Sequence, residues 1–189
     1  MIQKAKLKLP KYYRQNNPNI LSRVVKDMEE GNPFHYLFIG TVGCGKTELA
    51  RAIYSSYKPG QWESIKVRRF YRSYLYYLSM NLNDKYQSIM DIEKQFRNKS
   101  IIVDDFGDER PATEAAHDYI ANMIEERYDY CILAQNRDHC QTVITTNLKG
   151  EEILKFYGSR VLDRIEELFT IMEFKSHSFR REKKERIIG

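Results

Sequence analysis

The stretch "FHYLFIGTVGCGKTELARAIYSSY", Phe34 to Tyr57, decides how the rest of the chain is read. Its first part, "FHYLFIG", is a short apolar run that enters a glycine-rich turn, the pattern of a buried strand. "KTELARAIYSSY" leaves that turn with helical spacing. Between them "GTVGCGKT", Gly40 to Thr47, fits G-x-x-x-x-G-K-[ST] in full, and the strand before it and helix after it supply the required context. Gly43 and Gly45 let the backbone turn so that successive N–H groups face one anion. A helix starting near Lys46 offers its positive dipole end to the same anion. The motif predicts ATP as ligand, with Lys46 on its β- and γ-phosphates and the Thr47 hydroxyl on Mg2+. Cys44 is expected to act through its backbone N–H, and Glu48 joins the nucleotide-binding set. The plain alternative is a glycine turn that binds no nucleotide. The complete set of strand, loop, Lys-Thr pair and helix argues against it.

A second stretch, "IIVDDFGDERP", Ile101 to Pro111, reads as a buried strand that ends in two acids. In P-loop NTPases a strand of this kind delivers the acid that holds Mg2+. Asp104 suits that role, through a coordinated water. Asp105 then falls where a carboxylate orients or deprotonates the attacking water. Aspartate is one methylene shorter than glutamate, so slow hydrolysis that depends on neighbouring subunits is expected. Asp108 and Glu109 are further acids in the following loop. Without the phosphate loop, a solvated turn at a strand end would explain the pair equally well.

At 189 residues the chain is long enough for one domain with a real core, and 42% hydrophobic with 30% charged residues is ordinary for a globular protein. No apolar run approaches the roughly 18 residues needed to cross a bilayer, and the basic start lacks the features of a signal peptide. A cytoplasmic location without membrane contact is the expectation. The net charge of +5 favours polyanionic partners. Cys44, Cys131 and Cys140 imply no disulfide framework, and "CILAQNRDHC" matches no zinc spacing, so it reads as a loop with incidental thiols.

Residues 1–19 read as a basic N-terminal arm and 20–189 as one α/β domain. Helices are expected over "NILSRVVKDMEE", "SYLYYLSMN", "QSIMDIEKQFRN", "TEAAHDYIANMIEERYDY", "LKGEEILKFYG" and "SRVLDRIEEL". "SIKV", "QTVITTN" and "FTIMEFK" read as further strands. Strands alternating with helices predict a central parallel sheet flanked by helices.

The ordered set of phosphate loop, "IIVDDFGDE", "IEERY", "VITTNL", "YGSRVLDRI" and "SFR" resembles the AAA+ ATPases of the bacterial helicase-loader group. These are DnaC- and DnaI-like proteins, with the IstB transposition ATPases as near relatives. The resemblance covers roughly residues 20–182. It implies a P-loop NTPase fold of the AAA+ type without a large C-terminal helical lid. It implies that Asn147 is the sensor 1 residue, Arg164 the arginine finger that reaches a neighbour's nucleotide, Arg160 its supporting interface arginine and Arg180 sensor 2. Arg127 in "EERY" matches the family's pattern with no role assigned. The plain alternative for Arg160 and Arg164, four apart on one helical face, is a solvated surface paired with Asp163 or Glu167. The chain departs from the loaders in the short segment before its first helix and in the long connection "DYCILAQNRDHCQ".

Arg68, Arg69 and Arg72 alternate with aromatic residues in "KVRRFYRSYLYY", a pattern able to track a phosphate backbone and stack on unpaired bases. The resemblance and these arginines together imply an ATP-dependent DNA-replication assembly factor. Its expected partners are single-stranded DNA, a replicative helicase or a transposase or recombinase, and further copies of itself in the ATP state. The alternatives are an IstB-like regulator of transposition, a small-molecule P-loop kinase and a binding switch with negligible hydrolysis.

Overall fold

The computed structural model describes Leu7, Leu9 and residues 17–57, 62–66, 100–108, 114–133 and 140–175. Arg68, Arg69, Arg72, Glu109, Arg180 and the helices expected at 73–81 and 87–98 lie outside the described residues.

Helix α1 spans Pro18–Glu30. Proline at its first position needs no N–H partner, and Gly31 closes it in a left-handed conformation (φ 71°) with its N–H on the Asp27 carbonyl. Strand β1, His35–Gly40, runs into the glycine turn, and α2, Lys46–Ser55, leaves it. Strand β2 is Trp62–Lys66 and β3 is Ser100–Phe106. Helix α3, Glu114–Tyr128, passes into a π-helical turn, Asp129–Leu133. Strand β4 is Thr142–Thr146, α4 is Gly150–Leu168 and β5 is Thr170–Phe174.

The strands form one five-stranded sheet in the order β2-β3-β4-β1-β5, and every pairing in it is parallel. Inserting β4 between the glycine-turn strand and the acidic strand brings the carboxyl ends of β1, β4 and β3 side by side. Alternation along each strand sends residues to opposite faces. Tyr36, Phe38, Ile102, Val143 and Phe174 join Val24 of α1 and Leu49 and Ile53 of α2 in one core. Leu37, Ile101, Val103 and Ile144 join Ile120 and Ile124 of α3 and Val161 and Ile165 of α4 in the other. Each large aliphatic side chain so buried contributes about 1.5–3 kcal/mol. Leu7, from the basic segment, is buried in the first of these cores. Helix α1 is fastened to β1 by Asp27, which accepts hydrogen bonds from the Tyr36 hydroxyl and from Arg23 Nε (2.7 Å).

Two segments refine the expectation from sequence. The helix expected to end at Tyr130 is α-helical to Tyr128 and continues in π-helical form to Leu133. The wider turn places Cys131 inside the second core, fully buried. The two helices expected at 148–158 and 159–168 are both present within α4, divided by a sharp non-helical kink at Gly158 (φ 83°, ψ 169°). That backbone conformation is open only to glycine, so the residue sets where the second half of α4 points. Among the described residues no helical lid follows β5.

Candidate nucleotide-binding site

Gly43 (φ 86°) and Gly45 (φ 104°) hold left-handed conformations that wrap the turn over the start of α2. Lys46, the first residue of that helix, is buried (6% exposed), although its ammonium is a strongly hydrated group. Its Nζ is satisfied by the Gly40 carbonyl (2.7 Å), the Thr41 carbonyl (2.9 Å), Asn147 Oδ1 (3.0 Å) and, more weakly, Cys44 Sγ (3.6 Å). Burial pushes the Lys46 pKa down, while Cys44 and the Asp105 and Asp104 carboxylates pull it the other way. Cys44 is fully buried. Its thiol is packed in the core below the loop, and its N–H closes a turn onto the Thr41 carbonyl (3.4 Å).

Beside the lysine, the Thr47 hydroxyl donates to Asp104 Oδ1 (2.8 Å). The buried Thr145 hydroxyl of β4 donates to the same oxygen (2.8 Å). Thr145 also accepts the N–H of Asp105 (3.0 Å). Asp105 is the one described non-glycine residue with positive φ (64°), and the β3–β4 register shifts between Val103 and Phe106. This is a bulge that re-aims the strand end. Asp104 is buried, whereas Asp105 is half-buried, so the adjacent acids occupy different environments. One strand position further, the Thr146 hydroxyl donates to the Phe106 carbonyl (2.7 Å) and accepts the Leu148 N–H (3.0 Å). These bonds fix the turn that carries Asn147.

The structure therefore brings two hydrogen-bonded pairs, Lys46–Asn147 and Thr47–Asp104, to the carboxyl ends of adjacent strands, with Asp105 next to Asp104. A hydroxyl and a carboxylate 2.8 Å apart are hard oxygen donors of the kind Mg2+ takes together with substrate phosphates. Thr47 and Asp104 are the residues that would hold that ion.

Arg160 and Arg164 lie on α4 beyond the kink, against α3. Arg160 Nη2 pairs with Glu125 Oε2 (3.0 Å), and the Arg164 guanidinium lies over the Tyr128 ring (4.1 Å to the centroid). Arg164 also approaches Glu167 (3.8 Å), the surface pairing that the sequence left open. Arg127 is not in the site. It is fully buried under β4, with Nε on Thr142 Oγ1 (3.0 Å) and Nη2 on the Gln141 carbonyl (2.9 Å). Sequence reasoning missed Thr145, Thr146, Glu125 and Tyr128. The run of threonines in "TVITT" was the available signal for the first two.

A parallel sheet in this order, with a glycine-loop lysine, an acid on the next-but-one strand and a polar residue ending the strand between, is the AAA+ type of P-loop fold. Solved structures similar to this chain share it. The DnaC helicase loader has a TM-score of 0.59 at 21% identity, covering 88% of this chain and 100% of that one. DnaI has 0.57 at 17%, covering 90% and 93%. The replication initiator DnaA bound to AMPPCP and single-stranded DNA has 0.59 at 20%, covering 97% of this chain and 56% of that one. At these identities the likeness is one of fold. No protein-family model matches the chain, and no curated protein matches it.

Proposed function

We propose that this protein is an ATPase that builds or regulates a DNA-replication assembly, in the manner of a helicase loader. The observation that carries this reading is the Lys46–Asn147 and Thr47–Asp104 group at the ends of three adjacent strands. Lys46 would exchange its carbonyl partners for the β- and γ-phosphates of ATP. Thr47 and Asp104 would hold Mg2+, which spreads the charge of the phosphates when bound. Asn147, already within hydrogen-bond reach of Lys46, would sense the γ-phosphate. Asp105 would take the attacking water, and Arg164 of one subunit would stabilise the phosphoryl charge on the next, with Arg160 beside it. Arg180 is assigned to the γ-phosphate side, and Arg68, Arg69 and Arg72 to single-stranded DNA. The likeness to a DnaA structure holding AMPPCP and single-stranded DNA supports the choice of both ligands. The protein delivered or regulated would be a replicative helicase, or a transposase in the IstB-like variant of the same reading.

The test is ATP turnover per protomer against protein concentration, with and without single-stranded DNA. Turnover that rises with concentration and responds to DNA supports a site completed between subunits. Turnover that is flat and indifferent to DNA refutes it and favours a self-contained site, as in a small-molecule kinase.

A further inference from the structure

Two buried thiols and a buried guanidinium are left over once the nucleotide site is accounted for. Cys131, in the π-helical turn, and Cys140, just before β4, are both fully buried. Their sulfurs lie 2.9 Å apart. They belong to the core on the α3–α4 face of the sheet, whereas Cys44 belongs to the core on the opposite face. Arg127, the nearby cation, interacts electrostatically with both thiols. It is held in place by Thr142 Oγ1 and the Gln141 carbonyl, directly after Cys140 in the chain.

Buried cysteines are ordinarily inert packing groups. This pair differs in having a second sulfur within bonding reach and a fixed positive charge beside it. The Cys131 hydrogen bond draws the Cys140 pKa down, burial opposes this, and the Arg127 charge adds to the lowering. A thiolate at Cys140 is thus favoured over one in an unperturbed apolar core.

We propose that Cys131 and Cys140 are a redox-active dithiol that a small peroxide oxidises to an intramolecular disulfide. The Cys140 thiolate attacks one peroxide oxygen. The O–O bond breaks, leaving a sulfenic acid on Cys140 and releasing hydroxide. The Cys131 sulfur then attacks the sulfenic sulfur. The S–S bond forms, the S–O bond breaks, and the departing oxygen leaves as water with the Cys131 proton. The two thiols supply two electrons, and hydrogen peroxide ends as two waters. Burial of both sulfurs selects an oxidant about the size of water over a bulky disulfide. The new bond would staple the end of α3 to the start of β4, and a dithiol reductant would reopen it. In a reducing compartment the staple is transient.

The experiment uses the full chain, reduced, freed of reductant and treated with equimolar hydrogen peroxide. It is then alkylated in denaturant and mapped by peptide mass spectrometry. The expected result is that one cysteine, Cys44, alkylates, while Cys131 and Cys140 appear in one linked peptide that dithiothreitol separates. In Cys131→Ala the expected product is a sulfenic acid on Cys140, trapped by dimedone. Three alkylated cysteines after peroxide, a linkage that includes Cys44, or sulfinic acid without the linked peptide would each overturn the proposal. The wild-type arm decides the matter even if the variant does not fold, and none of its outcomes depends on ATP hydrolysis.

Discussion

Replacing Thr145 by valine should damage this protein more than replacing it by serine, although valine keeps the shape. The hydroxyl donates to Asp104 Oδ1 at 2.8 Å and accepts the Asp105 N–H at 3.0 Å. A hydrogen bond to a charged acceptor contributes about 1.5–3 kcal/mol. Removing the acceptor of the Asp105 N–H at the bulge adds about 1 kcal/mol. The methyl group that valine buries recovers at most about 0.8 kcal/mol. The net loss for Thr145→Val is therefore about 2–3 kcal/mol. At about 2–4 °C per kcal/mol for a chain of this size, the unfolding midpoint should fall by about 4–12 °C.

Thr145→Ser keeps the hydroxyl and loses one methyl group, so its expected cost is about 1 kcal/mol. Urea unfolding of the three proteins, followed by circular dichroism, measures both differences. A double-mutant cycle with Asp104→Asn isolates the pair and should return a coupling of about 1 kcal/mol or more. If valine costs no more than serine, the hydroxyl is not what organises the acidic strand end. The account of why Asp104 faces Thr47 would then be wrong.

Three further outcomes are expected. Gly158→Ala meets no atom within 4 Å, so its cost is the backbone strain at φ 83°, about 1–3 kcal/mol, read as a lowered thermal midpoint; an unchanged midpoint would show that α4 tolerates a straighter path. Burial raises the Asp27 pKa, but the Tyr36 and Arg23 hydrogen bonds outweigh it and hold the carboxyl below its ordinary value of 3.8. Its contribution to stability is then present above that value and lost as the pH falls through the lower folded value, so Asp27→Asn should flatten the acid limb of a stability–pH curve. Under the proposed function, Arg164→Ala should bind a fluorescent ATP analogue as the wild type does yet lose turnover by about 10³-fold or more, and retention of full turnover would remove the trans-acting role.

The phosphate loop could be read directly because its chemistry requires its letters. Turning consecutive N–H groups inward calls for glycine, and a nucleotide phosphate, as proposed, would call for Lys46 and Thr47 at fixed spacing. The strands were legible where short apolar runs end in punctuation, as at Gly40 and at Asp104 and Asp105. Arg127 was harder to place. A cation in the last turn of a helix ordinarily answers the helix dipole in solvent, and only the path of β4 shows that this one is buried. Cys131 and Cys140 were read as incidental because their meeting depends on a π-helical turn, a backbone choice with no local signature in "DYCIL".

Thr145 was hidden by its own suitability. Threonine is a good strand former, so "TVITT" needed no explanation beyond strand propensity. Strand order changes that reading. Once β4 is central, all five of its residues are buried, and each buried hydroxyl must find a partner. Thr142 meets His35 and Arg127, Thr145 meets Asp104 and Asp105, and Thr146 meets Phe106 and Leu148. The alternation of the strand assigns Thr145 to the face of Thr47 and Asp104, and Thr142 and Thr146 to the face of α3 and α4. A strand that carries three hydroxyls through the middle of a sheet is thus a set of anchors for its neighbours. The acidic bulge stays in place because β4 holds it from the side, which is why the two aspartates can differ in environment while adjacent in sequence.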